Sequence, residues 1–198
     1  MSLWSRFLKR SFDIALSFLG LVIAGWLIVL VWLAATLDTR KNGFFIQERV
    51  GRNGKFFSVI KIRTMKEVPG FKTDVTTRQD PRITPLGQIL RRLKLDELPQ
   101  LINVLLGHMS FVGPRPDVPG YADRLQGEDR IILSIRPGIT GPATLHFRNE
   151  EDFLALQNDP VRYNREVIYP QKVKLNREYI ENYCFYKDLR YIYRTIFQ

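Results

Sequence analysis

The stretch IALSFLGLVIAGWLIVLVWLAATL, Ile14 to Leu37, runs for 24 residues without a charge. As a straight helix it would measure about 36 Å at ~1.5 Å per residue, longer than the roughly 30 Å hydrocarbon core of a bilayer. It is too long for the core of a signal peptide, and TLDTRKN rather than a small-residue cleavage pattern closes it. A buried helix of a soluble domain is the competing reading, but so long an uncharged run is rare there.

The flanks constrain the topology. Arg6, Lys9 and Arg10 precede the run, and Arg40, Lys41, Arg49 and Arg52 follow it. Basic residues beside a membrane segment favour the cytoplasmic side, and here both ends carry them. The pattern predicts a segment that enters the bilayer, bends and leaves by the same face. Gly20 and Gly25 are the candidate bend points, because glycine weakens a helix. Each half would be about 18 Å long, too short to cross. The expected division is therefore a re-entrant membrane helix over residues 1–38 and a catalytic domain over 39–198.

Lys and Arg outnumber Asp and Glu by 30 to 20, a net charge of +10. That surplus suits an anionic partner: nucleic acid, an acidic membrane surface or a phosphorylated substrate. Cys184 is the only cysteine, which excludes an intrachain disulfide and fits a reducing compartment. With His108 and His146 the only histidines, a zinc site of the usual ligands is not expected.

Beyond the apolar run, GFFIQERVG and FFSVIKIRTM read as strands joined by RNGK, whose Asn53-Gly54 is a hairpin signal. Residues 67–85 read as a polar loop. LGQILRRLKL and ELPQLINVLLGHM read as helices, the second ending at Gly107 and holding Pro99 in its first turn. SFVGPRPDVPG and RPGITGP are stiff loops. The C-terminal third reads as helices rich in Tyr and Phe, and YIENYCFYKDLRYIYRTIF suits either core or a membrane interface. The expected class is α+β: a helix-break-helix in the membrane, a small β-hairpin, and a mostly helical domain with interfacial amphipathic helices.

One stretch is chemically odd. KLDELPQL sets Asp96 and Glu97 side by side among leucines. A solvated first turn of a helix would explain them blandly, since acidic residues favour that place.

Seven pieces in order favour a sharper reading: KR-FD opening the apolar run, QERVGRNGKFF, KIRTM, DPRITPLG, LDELPQLINVL, MSFVGPRP and RPGITG. Together they resemble the monotopic phosphoglycosyl transferases, bacterial sugar transferases, in their small form. The resemblance runs from about Lys9 to the end of the chain. It implies transfer of a phosphosugar from a UDP-sugar to polyprenol phosphate with release of UMP. It also implies Mg²⁺, a covalent intermediate on Asp96, Glu97 as the metal anchor, and a re-entrant membrane segment. Arg91, Arg115, Pro116 and Arg148 are the phosphate-binding candidates by the same resemblance. An N-acetylated UDP-hexosamine is the expected donor, and the inner membrane with the catalytic domain on its cytoplasmic face the expected location. Membrane lipids are expected partners, nucleic acid is not, and a homodimer is allowed. Three positions depart from the family pattern. Gly25-Trp26 stands where relatives often have Ser-Pro, His108 where an acidic residue is common, and Pro142-Ala143-Thr144 where Trp-Ala-Gln is common.

A carboxylate suits such an exchange. It is ionised near neutrality and needs no general base. Its acyl phosphate is reactive enough for a lipid phosphate to resolve. The alternatives are a membrane-anchored binding protein, or an inactive scaffold of a glycan-assembly complex.

Overall fold

A computed structural model describes residues 1–68, 76 and 80–197. Helix α1, Leu3–Thr39, takes in the whole apolar run. Ser2 caps its start by accepting from the Ser5 amide at 3.1 Å, and Arg40 ends it in a left-handed conformation. The helix is uninterrupted at Gly20 and Gly25, so the expected helix-break-helix is corrected to a single helix of about 55 Å. The reason is energetic. No proline removes a ladder hydrogen bond, and a glycine costs only ~1 kcal/mol in a helix interior. Gly20 serves close packing instead: a Cβ there would stand 3.2 Å from Leu101 Cδ1.

The rest of the chain lies along this helix. Strands β1 (Phe44–Val50) and β2 (Phe56–Ile62) form an antiparallel hairpin, with Phe44 opposite Ile62 and Val50 opposite Phe56. Asn53 and Gly54 take positive φ in the connection, which glycine adopts freely for want of a Cβ and asparagine tolerates better than most residues. The loop expected over 67–85 falls partly outside the described residues; its ends meet in a bridge between Met65 and Ile83. Thr84 then caps α2 (Pro85–Arg92), with Pro85 in its first turn. Helix α3 (Gln100–Leu106) ends at Gly107, whose φ is 86°. Strands β3 (Ser110–Val112) and β4 (Gly138–Thr140) pair in parallel. This brings the two Gly/Pro/Arg loops together. The approach demands glycine: a Cβ on Gly138 would stand 2.1 Å from the Gly113 amide nitrogen. The C-terminal third comprises α4 (Pro142–His146), α5 (Glu150–Ala155), α6 (Pro160–Tyr163), α7 (Tyr169–Glu181) and α8 (Phe185–Phe197).

Three apolar clusters hold these parts. Val31 and Ala35 of α1 pack with Ile62 and Leu90. Val59, Val104 and Met109 join the hairpin to α3. Val112, Ile132, Val173 and Ile180 centre the largest cluster.

The N-terminal half of α1 is fixed by polar contacts. Lys9 Nζ bonds Asp188 Oδ2 of α8 at 2.6 Å. The Arg10 guanidinium donates to the carbonyls of Val104 and Leu105 at 2.7 and 2.8 Å, adding to the Gly107 amide at Val104 and giving the Leu105 carbonyl a partner at the end of α3. Asp13 accepts from Ser110 Oγ and the Phe111 amide at 3.1 Å each. The basic flank of the apolar run is thus partly internal architecture, since Lys9 and Arg10 both serve the fold. Elsewhere α1 exposes a stripe of large apolar residues that includes Phe18, Val22, Trp26, Val29 and Leu33. Most of the apolar run is left uncovered by the rest of the chain, which disfavours the soluble-core reading.

Candidate active site

Asp96 and Glu97 do not open a helix. They lie on a 3-10 turn, Leu95–Glu97, between α2 and α3, with Pro99 just before α3. Lys94 enters that turn in a left-handed conformation, φ 57°, which ends the α2 path and turns the dyad inward. A side chain fixes the turn against the hairpin. Asn103 Oδ1 accepts from the Ile60 amide at 3.0 Å, and its Nδ2 donates to the Ser58 carbonyl at 2.7 Å. These are the outward backbone groups of the hairpin's edge strand β2, and one buried amide satisfies both. The same docking brings Lys61 of β2 to 3.5 Å from Glu97 Oε1.

Glu97 is held from two sides. The Arg115 guanidinium donates to both carboxylate oxygens, and Lys61 adds its charge. Burial opposes ionisation of Glu97, yet Arg115 and Lys61 outweigh it and hold the carboxyl far below its ordinary range. Burial also pushes the Lys61 ammonium down to about 8, against the pull of Glu97. Asp96 moves the other way. Burial and the Glu97 charge raise it, although Lys61, Arg91 and Lys94 act to lower it. It is 8% exposed, and its Oδ1 has no hydrogen-bond partner among the described residues. The dyad therefore separates into a firmly ionised, cation-held Glu97 and a more basic Asp96 with a free oxygen. That is a useful division between a charge anchor and a nucleophile.

The other expected residues distribute unevenly. Arg115 is at the dyad, on the loop after β3. Pro116 is buried beside it, its carbonyl accepting from Arg49 at 3.1 Å. Arg91 acts on Asp96 by its charge but is paired with Glu151. Arg148 is exposed and engaged elsewhere, donating to the Arg194 carbonyl near the end of α8 at 3.1 Å. His108 is exposed beside the Phe57 ring, centroids 5.9 Å apart. Lys61 is a site residue that the sequence reading left unassigned, although KIRTM contains it. Strand alternation offered the signal, since Lys61 points opposite to buried Ile62.

Among the described residues no group of three or more His, Cys, Asp or Glu could enclose a metal. Mg²⁺ does not need such a cage. It commonly takes one or two carboxylates and completes its shell with water and substrate phosphate. The unpartnered Asp96 oxygen beside Glu97 fits that pattern.

The sequence matches the family described as bacterial sugar transferase over residues 4–198. The chain is 34% identical to an undecaprenyl-phosphate galactose phosphotransferase of Salmonella typhimurium, over 96% of this chain and 40% of the relative. It is 37% identical to an undecaprenyl-phosphate glucose phosphotransferase of Komagataeibacter xylinus, over 99% of this chain and 36% of the relative. Against the exopolysaccharide production protein ExoY of Sinorhizobium fredii identity is 33%, over 95% of this chain and 83% of the relative. The chain thus spans well under half the length of the first two. A match that takes in α1, the dyad turn and both Gly/Pro/Arg loops at once leaves one assignment: the chain belongs to the bacterial sugar transferase family.

Proposed function

We propose that this chain transfers a sugar 1-phosphate from a UDP-sugar to polyprenol phosphate, in two steps through Asp96. The observation that carries this reading is the dyad itself, with a buried, unpartnered Asp96 oxygen beside a Glu97 fixed by Arg115 and Lys61. In the first step an Asp96 oxygen bonds to the phosphorus that carries the sugar. The bond from that phosphorus to the bridging oxygen breaks, and UMP departs with its electron pair. In the second, an oxygen of the lipid phosphate bonds to the same phosphorus and the Asp96 carboxylate leaves. Arg115 and Lys61 supply positive charge where the phosphates meet. Glu97 is the residue to hold Mg²⁺, exchanging part of its contact with Arg115 and Lys61. Bound there, Mg²⁺ would screen the diphosphate and ease departure of UMP.

The donor in our reading is an N-acetylated UDP-hexosamine, from the resemblance to the small family form. A UDP-hexose is the second reading, favoured by the glucose and galactose in the names of relatives. A panel of UDP-sugars scored by UMP release separates them.

The membrane topology follows from α1. One domain contacts it near Lys9 and Asp13 at one end and near Ala35 at the other. That supports both ends lying on one membrane face, the cytoplasmic face of the inner membrane in our reading, with the apolar stripe of α1 in lipid. α8 exposes Tyr186, Leu189, Tyr193 and Ile196 and suits the same interface. In a Cys184→Ser background, cysteines placed at positions 3 and 43 should be labelled from the same side. Labelling from opposite sides would show that α1 spans.

Asp96→Asn should abolish UMP release. With donor alone, intact-mass measurement should find a phosphosugar adduct on the parent protein and none on this variant. Turnover at the parent rate in Asp96→Asn would refute the assignment.

A further inference from the structure

Two further cations near the site are each held by a carboxylate of one short segment: Arg91, whose charge reaches Asp96, and Lys172, whose charge reaches Asp117 on the Arg115 loop. Arg91 of α2 pairs with Glu151, and Lys172 of α7 bonds both oxygens of Glu150 at 2.7 Å. Glu150 and Glu151 are neighbours at the start of α5, so one turn of chain bridges two elements that flank the site. The placement is close to the chemistry. The Arg91 charge is felt at Asp96, and that of Glu150 at both Arg115 and Asp117. All four side chains are reachable from solvent: 24% exposed for Arg91, 45% for Glu151, 22% for Lys172 and 26% for Glu150. Both pairs are only partly buried, so an incoming phosphate can reach each cation and compete with its carboxylate. The proposed reaction needs such an exchange of anions, because each substrate brings phosphate charge to cations that already have carboxylate partners.

Resting on the transferase reading, we infer that Lys172 and Arg91 form a second phosphate clamp beside the dyad. Glu150 and Glu151 are its internal counter-ions, occupying the cations until a substrate phosphate displaces them. Lys172 is the new binding residue. Its ammonium is a point charge on a flexible stem, which can leave a carboxylate for a phosphate without moving α7. Arg91 offers a planar fork that takes two phosphate oxygens. The counter-ions have a second effect. By recapturing both cations they weaken product binding, so α5 limits inhibition by UMP.

The ligand chemistry is a phosphate, which either the nucleotide or the lipid could bring. The test uses the full chain in nanodiscs, with E150Q/E151Q and K172M as variants. UMP binding is read by calorimetry, and KM for polyprenol phosphate by steady-state turnover. Freed of its counter-ions, the clamp in E150Q/E151Q should bind UMP roughly fivefold tighter, and K172M should bind it roughly fivefold weaker. Opposite signs are the signature, since a bridge that merely stabilises the fold would weaken binding from either side. If UMP binding is unmoved while KM for the lipid falls in E150Q/E151Q and rises in K172M, the clamp takes the lipid phosphate. Both variants folded with neither quantity moved, or both moved in the same direction, would overturn the inference. Absence of UMP release by the parent chain from every UDP-sugar would instead defeat the transferase reading. Calorimetric UMP binding still reports on the clamp in that case.

Discussion

Lys9→Met tests how α1 is tied to the rest of the chain. Lys9 is 8% exposed and Asp188 1%, with 2.6 Å between Nζ and Oδ2. Removing one partner of a buried ion pair typically costs ~3–5 kcal/mol, because the other charge stays buried and uncompensated. Here Asp188 keeps two donors, the Tyr179 hydroxyl at 2.5 Å and the Tyr183 hydroxyl at 3.1 Å. That argues for the lower end, about 3 kcal/mol. For a chain of this size each kcal/mol shifts Tm by roughly 2–4 °C, so Lys9→Met should melt about 6–12 °C lower. Combining it with Asp188→Asn removes the stranded charge and should recover about half the loss. The measurement is thermal unfolding of the purified protein in one detergent at one scan rate, followed by tryptophan fluorescence. If the double variant melts as low as Lys9→Met, the stranded charge is not the cause. If Lys9→Met melts within 2 °C of the parent, the pair contributes little and this account of how α1 is tied to α8 is wrong.

Other outcomes follow from the same geometry. Burial pushes the Asp117 carboxyl up to about 6 from an ordinary 3.8, a gap worth roughly 3 kcal/mol. Its folded form binds the proton more tightly, so parent stability should fall as pH rises from about 4 to 6. Asp117→Asn should match the parent near pH 4, exceed it above pH 6 and show a shallower slope in denaturant melts, the remainder belonging to other raised carboxyls such as Asp96. Asn103→Ala strands the Ile60 amide and the Ser58 carbonyl and should cost about 2–4 kcal/mol, read by chemical unfolding. Arg148→Ala removes a contact to the end of α8 and should lower Tm by a few degrees at most. An unchanged donor KM in Arg148→Ala would remove Arg148 from the phosphate-binding set, and a large rise in KM would keep it there.

What the sequence determined is local or periodic. Twenty-four uncharged residues can form little but an apolar helix, Asn53-Gly54 dictates its turn, and Gly107 in a left-handed conformation ends α3. Asp96 and Glu97 stood out because adjacent carboxylates among leucines need a reason. The tertiary structure decided what depends on partners far along the chain. Lys9 and Arg10 looked like cations at a membrane edge, yet their anchors lie about 180 and 95 residues away. Gly20 looked like a bend and is a contact with Leu101. The dyad turn owes its direction to Asn103 on a hairpin edge, and Glu97 owes its charge to Arg115 and Lys61 from two different elements. Helix and turn preferences act over a few residues and are written in order. An ion pair or a shared edge exists only after the chain has closed on itself, and no spacing in the sequence encodes which cation will meet which carboxylate.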